Sequence, residues 1–355
     1  MPELRRRVSR DSEVEFLLRH RFGRTLIHGQ RGIGKRLILR EMIDRARDDF
    51  SSTIWIPLQT TSLNPENFAL EFSTLVLREL GYADIEPTVH DFSRPPKALP
   101  VQAISLLKSI ANELEKVKPD QQLLIQNAIG IVDAAAKPGK KRPLIVLEDI
   151  HRLLEMNNFS QIKDIFSILD LEARRFSVMG TTPYGHLTTQ HLEGFELLEV
   201  RGFSVGQTVE LCRAFGVKDK KACEELHALT GGHPQTLALL LEDSGEEQDS
   251  VVACKTAMAA ADSRASLRLE ASLTEGLAMA RGATMLRSIL HVLCQKDDSR
   301  LSDVARAIFH SAPVTKSLLA RLVEVGMVRR EGKGYRMANR AMANRMAVRR
   351  TGVRP

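Results

Sequence analysis

With 355 residues, 43% of them hydrophobic and 27% charged, the chain has the composition of an ordinary globular protein, long enough for two or three domains and unlike a disordered or fibrous one. No apolar run approaches the roughly 18 to 20 residues that cross a bilayer. The charged opening Met1-Pro2-Glu3-Leu4-Arg5-Arg6-Arg7 lacks the apolar segment of a secretory signal, so the expectation is a cytoplasmic protein with no membrane partner.

Residues 11–21 read as a short helix that leads into a strand at about 24–28. A helix from 35 to about 48 follows, with Leu37, Ile38, Met42, Ile43 and Ala46 at helical spacing. Residues 53–58 form a compact buried-type strand, and 64–80 a helix with Pro65 in its first turn. Residues 82–100, with four prolines, predict an exposed loop or insertion. Helices are expected over 101–115 and 121–136, then a break at 137–143 before the strongest strand, 144–147. Helix is expected over about 159–171 and strands over 176–180 and 197–200. Strands apolar at nearly every position and alternating with helices predict a parallel sheet covered on both faces. From 204 the pattern is helical, interrupted by an acidic loop at 243–249. The expected divisions are 1–203 for the α/β core, 204–282 for an all-α lid, 283–340 for a separate small unit and 341–355 for a basic tail.

Gly29-Gln30-Arg31-Gly32-Ile33-Gly34-Lys35 is the phosphate loop G-x-x-x-x-G-K in a strand-loop-helix setting. Its glycines let backbone N–H groups converge at the positive end of a helix, where a di- or triphosphate sits, and Lys35 reaches the outer phosphates. The next residue, normally a Ser or Thr that ligates Mg²⁺, is Arg36. Its guanidinium either anchors phosphate in partial replacement of the metal or points into solvent. The strand 144–147 ends in Glu148-Asp149, where the first acid would hold Mg²⁺ through water and the second would orient or deprotonate the attacking water. The strand 176–180 ends in Thr181-Thr182, a sensor of the terminal phosphate or a simple cap. Arg174 and Arg175 precede that strand, either as solvated charges or as a finger reaching a neighbouring protomer's phosphate. The four cysteines and ten histidines show no metal-ligand spacing, which predicts reduced thiols and no metal site built from protein ligands alone.

Gly29–Lys35, Leu144–Asp149, the Thr181-Thr182 strand end and Thr230-Gly231-Gly232-His233-Pro234 occur in the order found in AAA+ ATPases and the neighbouring signal-transducing STAND ATPases. The chain resembles archaeal-type STAND ATPases and origin-recognition initiators over about residues 10–340. The resemblance implies an α/β P-loop NTPase core, a helical lid, a C-terminal winged helix-turn-helix, and ATP with Mg²⁺ as cofactors. It makes His233 and Pro234, on a turn that is otherwise architectural, candidate contacts to the adenine side.

The net charge of +7 is uneven: 311–355 holds eleven Arg or Lys against two acids. Within that region three helices (284–294, 301–309, 315–325) precede a basic hairpin at 327–337, a pattern similar to a winged helix. Lys316, Ser317 and Arg321 would face double-stranded DNA from the third helix, and Arg329, Arg330, Lys333 and Arg336 from the wing. Arg340, Arg345, Arg349, Arg350 and Arg354 adjoin them. The leading expectation is an ATP-binding switch with slow hydrolysis whose nucleotide state, or homo-oligomer, controls DNA engagement in replication initiation, transposition targeting or defence signalling. Alternatives are a non-hydrolysing nucleotide-binding scaffold that recruits a protein partner through the winged helix, and a transcription regulator with a structural P-loop.

Overall fold

The computed structural model describes residues 8–82, 85–136, 139, 141–244, 249–296 and 298–351, with the side chains of 349–351 left aside. The Arg5–Arg7 cluster, most of the acidic loop at 243–249, and the side chains of Arg349, Arg350 and Arg354 lie outside them.

Five parallel strands form the first layer: β1 (Arg24–His28), β2 (Thr53–Pro57), β3 (Leu144–Glu148), β4 (Ser177–Thr182) and β5 (Glu196–Glu199), in the order β2-β3-β4-β1-β5. Alternate residues of β3 enter opposite cores. Ile145 and Leu147 pack with α3 (Pro65–Glu79), α5 (Val101–Leu114), α6 (Gln121–Ala134) and α7 (Ile165–Glu172). Leu144 and Val146 pack with α1 (Asp11–Arg19) and α2 (Lys35–Arg45). A strand buried on both faces must be apolar throughout, which is why β3 stood out in the sequence.

Local chemistry sets the helix starts. Asn64 accepts from the N–H groups of Glu66 and Asn67, and Pro65 occupies the first turn of α3. Ser204 and Gln207 form a reciprocal capping box at the start of α9 (Val205–Ala214).

Several sequence expectations are corrected. Of the segment expected as an exposed loop or insertion, residues 85–100 are not an exposed loop: a short α4 (Val89–Ser93) forms there, and Ile85, Phe92 and Leu99 are buried in the core. The prolines delimit this segment without preventing its burial. The helix expected at 159–171 is shorter and starts later. A 3₁₀ segment runs over Ile150–Asn158, and α7 begins at Ile165 because Asp164 accepts from the Phe166 N–H and Asn157 from the Ile165 N–H. Thr181 and Thr182 belong to β4 rather than following it. A short α8 (Gly185–Thr189) comes next.

After α9 the chain is helical through α10 (Lys220–Thr230), α11 (Pro234–Ser244), α12 (Ser250–Ala259) and α13 (Arg264–Met279). The C-terminal unit holds α14 (Ala283–Leu293), β6 (Ser299–Arg300), α15 (Leu301–Ala307), α16 (Ala312–Glu324), β7 (Val328–Glu331) and β8 (Gly334–Met337). The expected hairpin is present, and β6, which the sequence did not signal, pairs with β8 to complete a three-stranded antiparallel sheet. Of the basic tail expected at 341–355, residues 341–351 are helical, and 352–355 lie outside the described residues. Arg340–Thr351 is a helix, α17, whose Ala341, Met342, Ala343 and Met346 are buried. Arg345 is buried as well and donates to the Ala259 carbonyl at 2.8 Å. One continuous hydrophobic cluster joins α9–α13, the C-terminal unit and α17. Helices α9–α13 and the C-terminal unit therefore share a core.

Candidate functional site

The phosphate loop leaves β1 at its carboxyl end, the end where ligands collect in parallel sheets. Gly34 has φ +103°, a conformation that favours glycine, and it begins α2 without a side-chain cap. The N–H groups of Leu37 and Ile38 donate to the Gly34 carbonyl at 3.0 and 3.2 Å, so only the N–H groups ahead of them at the start of α2 stand without a side-chain cap, where an anion would be met. At Gly32 the lid comes so close that a Cβ would run into the side chain of Gln235.

Between loop and lid lies a cavity of ≈ 590 Å³, in the range of small-molecule sites. Its walls differ in character. Val8, Phe203, Leu211, Pro234, Ala238 and Leu239 form an apolar side, whereas Lys35, Arg36, Glu148, Asp149, Thr181 and Gln59 form a polar one. That division suits a ligand with a flat apolar end and a charged end.

Lys35 donates to the carbonyls of Gly29 at 2.6 Å and Gln30 at 3.0 Å. Burial, reinforced by the nearby Arg31 and opposed by Asp149, holds its ammonium down to a pKa of about 8. Arg31 bridges the two halves of the molecule, pairing with Asp149 at 3.5 Å and with Glu275 of α13. Asp149 also accepts from Gln59. Its φ of +56° marks a left-handed non-glycine residue at the end of β3, where the Thr181 hydroxyl accepts from its N–H at 3.3 Å. Glu148 pairs with Arg36 at 3.3 Å. Arg36 does not simply project into solvent, because its guanidinium carbon also stands 5.4 Å from the Trp55 ring centroid.

The structure brings Arg31, Gly32, Gly34, Lys35, Arg36, Glu148, Asp149, Thr181 and Pro234 to one cleft. Other expected residues stand elsewhere. Ile33 is buried under the loop, Gly29 faces the Val200 backbone, and the Gln30 amide turns away to donate to the Ala338 carbonyl at 2.7 Å. Thr182 caps the turn into α8 through the Tyr184 N–H. His233 does not line the cleft: its Nε2 meets the Arg31 carbonyl at 2.8 Å and its Nδ1 accepts from the Thr236 N–H. Buried there, its imidazole is pushed down to about 4 and stays neutral. Arg175 precedes β4 and pairs with Asp133 at 3.8 Å. It lies at the opposite end of the parallel sheet, away from the cleft of its own chain.

In the C-terminal unit Lys316, Ser317, Arg330, Lys333 and Arg336 are exposed, and Arg321 and Arg329 are half-buried. Arg329 is turned to Glu199 of β5 at 2.8 Å, and Arg336 pairs with Glu331. Sequence reasoning missed Gln59, Arg40 and the lid residues Gln235, Glu242 and Glu275. Gln59 follows the carboxyl end of β2, so the strand-end rule that located Thr181 reaches it too. The lid residues carry no motif.

A glycine-rich loop at the end of a central parallel strand, acids at the end of a neighbouring one and helices packed over both are the organisation of the P-loop NTPase fold, and the chain has that fold. Among solved structures it is similar to a Walker-type ATPase of Pyrococcus abyssi, with 14% identity, TM-score 0.67 and 96% of each chain covered. It is also similar to a STAND protein with a tetratricopeptide repeat sensor from Pyrococcus horikoshii, with 17% identity and TM-score 0.42, over 97% of this chain and 42% of that one. A further similarity, to AMPPCP-bound DnaA from Aquifex aeolicus, has 15% identity and TM-score 0.36 and covers 88% and 86%. No protein-family model and no curated protein matches the sequence.

Proposed function

We propose that the chain binds ATP in the cleft between loop and lid and uses the bound state to control a basic winged-helix unit that engages double-stranded DNA. The observation that carries this reading is that one loop contacts all three parts of the molecule. Gln30 donates to Ala338 beside the wing, Arg31 pairs with Glu275 of the lid, and Lys35 lies under the same turn. Phosphates arriving at this loop compete with the carbonyls that hold Lys35 and recruit Arg31. They thereby alter the contacts that position the shared lid and C-terminal core. Hydrolysis in this reading is slow, since Glu148 is paired with Arg36. Asp149 and Thr181 remain the candidates for orienting water and sensing the terminal phosphate.

The test is ATP turnover and DNA affinity measured together, with and without each other, for the wild type and Lys35→Ala. DNA affinity that changes with nucleotide, and loses that response in Lys35→Ala, is expected. DNA binding indifferent to both would leave the loop as a structural element of a DNA-binding protein.

A second reading draws on the Arg36–Glu148 pair: a scaffold that holds nucleotide without hydrolysing it and presents the C-terminal unit to a protein partner. Tight ATP binding with no turnover and no DNA affinity is its signature.

A further inference from the structure

P-loop ATPases place a divalent cation between the nucleotide phosphates, a hydroxyl just after the loop lysine, and a carboxylate at the end of the adjoining strand. The residues of this chain do not fit that arrangement. Position 36 presents a guanidinium in place of a hydroxyl. The Glu148 carboxylate, which the cation would need through water, already has Arg36 Nε at 3.3 Å. The second acid, Asp149, is occupied by Arg31 at 3.5 Å and by Gln59. Among the described residues no three His, Cys, Asp or Glu side chains come together as metal ligands. A divalent cation would have to displace one positive group from Glu148 and then remain beside it, against charge repulsion in a partly shielded cleft.

We propose that Arg36 takes the cation's place, so that this cleft binds nucleoside triphosphate free of divalent metal. The proposal rests on reading the cleft as a nucleotide site and specifies how the phosphate charge is met there. Arg36 is held from two sides, by Glu148 and by the face of Trp55 at 5.4 Å, so its fork is oriented before any ligand arrives. A guanidinium can bridge two phosphate oxygens with parallel N–H groups, as an ammonium cannot. Arg40 lines the same cavity from α2. With Arg31 and Arg36 it supplies permanent positive charge along the polar wall, to which the Lys35 ammonium adds, against the carboxylates of Glu148, Asp149 and Glu242. The strength of phosphate binding then depends on side chains and not on dissolved Mg²⁺.

Trp55 is the only tryptophan of the chain and touches Arg36, so its fluorescence reports on the site. The experiment titrates ATP into the full chain in EDTA and again in excess MgCl₂, with calorimetry as a second readout. The wild type is expected to bind with affinities that agree within about threefold in the two buffers. Arg36→Thr, which restores the usual hydroxyl, is expected to bind about tenfold more weakly in EDTA and to regain affinity when Mg²⁺ is added. Arg36 is 57% exposed, and an unchanged thermal midpoint confirms that the variant folds. Wild-type binding that appears only with Mg²⁺ overturns the proposal while leaving the nucleotide reading intact. An Arg36→Thr variant that binds as tightly as wild type in EDTA also overturns it. Absence of binding in both buffers removes the nucleotide reading and this proposal together.

Discussion

Glu199, on edge strand β5, accepts a hydrogen bond from Arg329, on the first strand of the basic hairpin, at 2.8 Å. An arginine expected to face DNA is thus turned toward the chain's own core. The pair is partly exposed, and pairs of this kind contribute only about 0 to 1 kcal/mol. Glu199→Gln should leave the thermal midpoint nearly unchanged yet raise DNA affinity in the absence of nucleotide by several-fold, because the hairpin loses a charged anchor. Fluorescence anisotropy with a duplex checks this, and an affinity equal to or below wild type rules out a restraining role for the contact.

In the proposed reading, Lys35 gives the nucleotide site a pH dependence. Its folded pKa of about 8 is depressed by burial, so the ammonium is charged below pH 7 and loses its charge as pH rises through 8. Nucleotide affinity should be flat up to about pH 7 and then fall, by up to about tenfold per unit well above the pKa. Lys35→Arg should stay flat over the same interval, since a guanidinium remains charged. An identical decline in both proteins would assign the pH effect to another group.

His233 makes the opposite end of the pH scale informative. Burial lowers its pKa to about 4, below the 6.5 of a free imidazole, so the unfolded chain takes up this proton first. Its contribution to stability is complete above pH 6.5 and is lost as pH falls toward 4, by up to about 3 kcal/mol. His28 and His151, also lowered by burial, act in the same direction. Urea unfolding at pH 7.5 and 5 should show the loss, and His233→Gln should make it smaller. Equal stability at the two pH values would contradict the buried neutral imidazole.

The fold was legible where one sequence rule sufficed. Residues such as Leu144–Leu147 are buried on both sheet faces and carry an unbroken apolar signal, and the loop at 29–35 has a fixed spacing. The site was legible on the side of the sheet and, on the helical side, only at the Thr230–Pro234 turn, which brings Pro234 to the cleft. Arg31 meets Glu275 across 244 positions and His233 meets the Arg31 carbonyl across 202; pairings between residues so distant in the chain leave no local pattern. Composition also misdirected the reading. The arginines of α17 suggested a tail, while its packing depends on Ala341, Met342, Ala343 and Met346, small or flexible residues that yield little amphipathic signal. In the same way, the prolines around Phe92 suggested a loop where the chain contributes to the core.

Phe92 tests that last correction. Its side chain is fully buried against the layer that covers β2 and β3, so Phe92→Ala should destabilise the protein by about 3 to 5 kcal/mol through lost burial and the cavity left behind. A surface-loop phenylalanine would cost well under 1 kcal/mol. Equilibrium denaturation separates the two, and nucleotide affinity measured under native conditions should change little, because the segment lies away from the cleft.

The exposed members of the basic hairpin carry the DNA reading. Arg330 and Lys333 are exposed, whereas Arg329 is tied to Glu199. If Arg330 and Lys333 each neutralise one phosphate, the slope of log affinity against log salt should become shallower by about 2 in the double alanine variant, with similar losses on unrelated duplexes. Arg329→Ala alone should leave the slope near wild type unless the hairpin has first been released, which the Glu199→Gln background provides. Combining Arg329→Ala with Glu199→Gln therefore shows whether this arginine reaches DNA once its partner is removed: a slope further reduced by about 1 relative to Glu199→Gln alone means that it does. An unchanged slope in the Arg330/Lys333 variant removes the hairpin from the DNA interface and favours a protein partner for this unit.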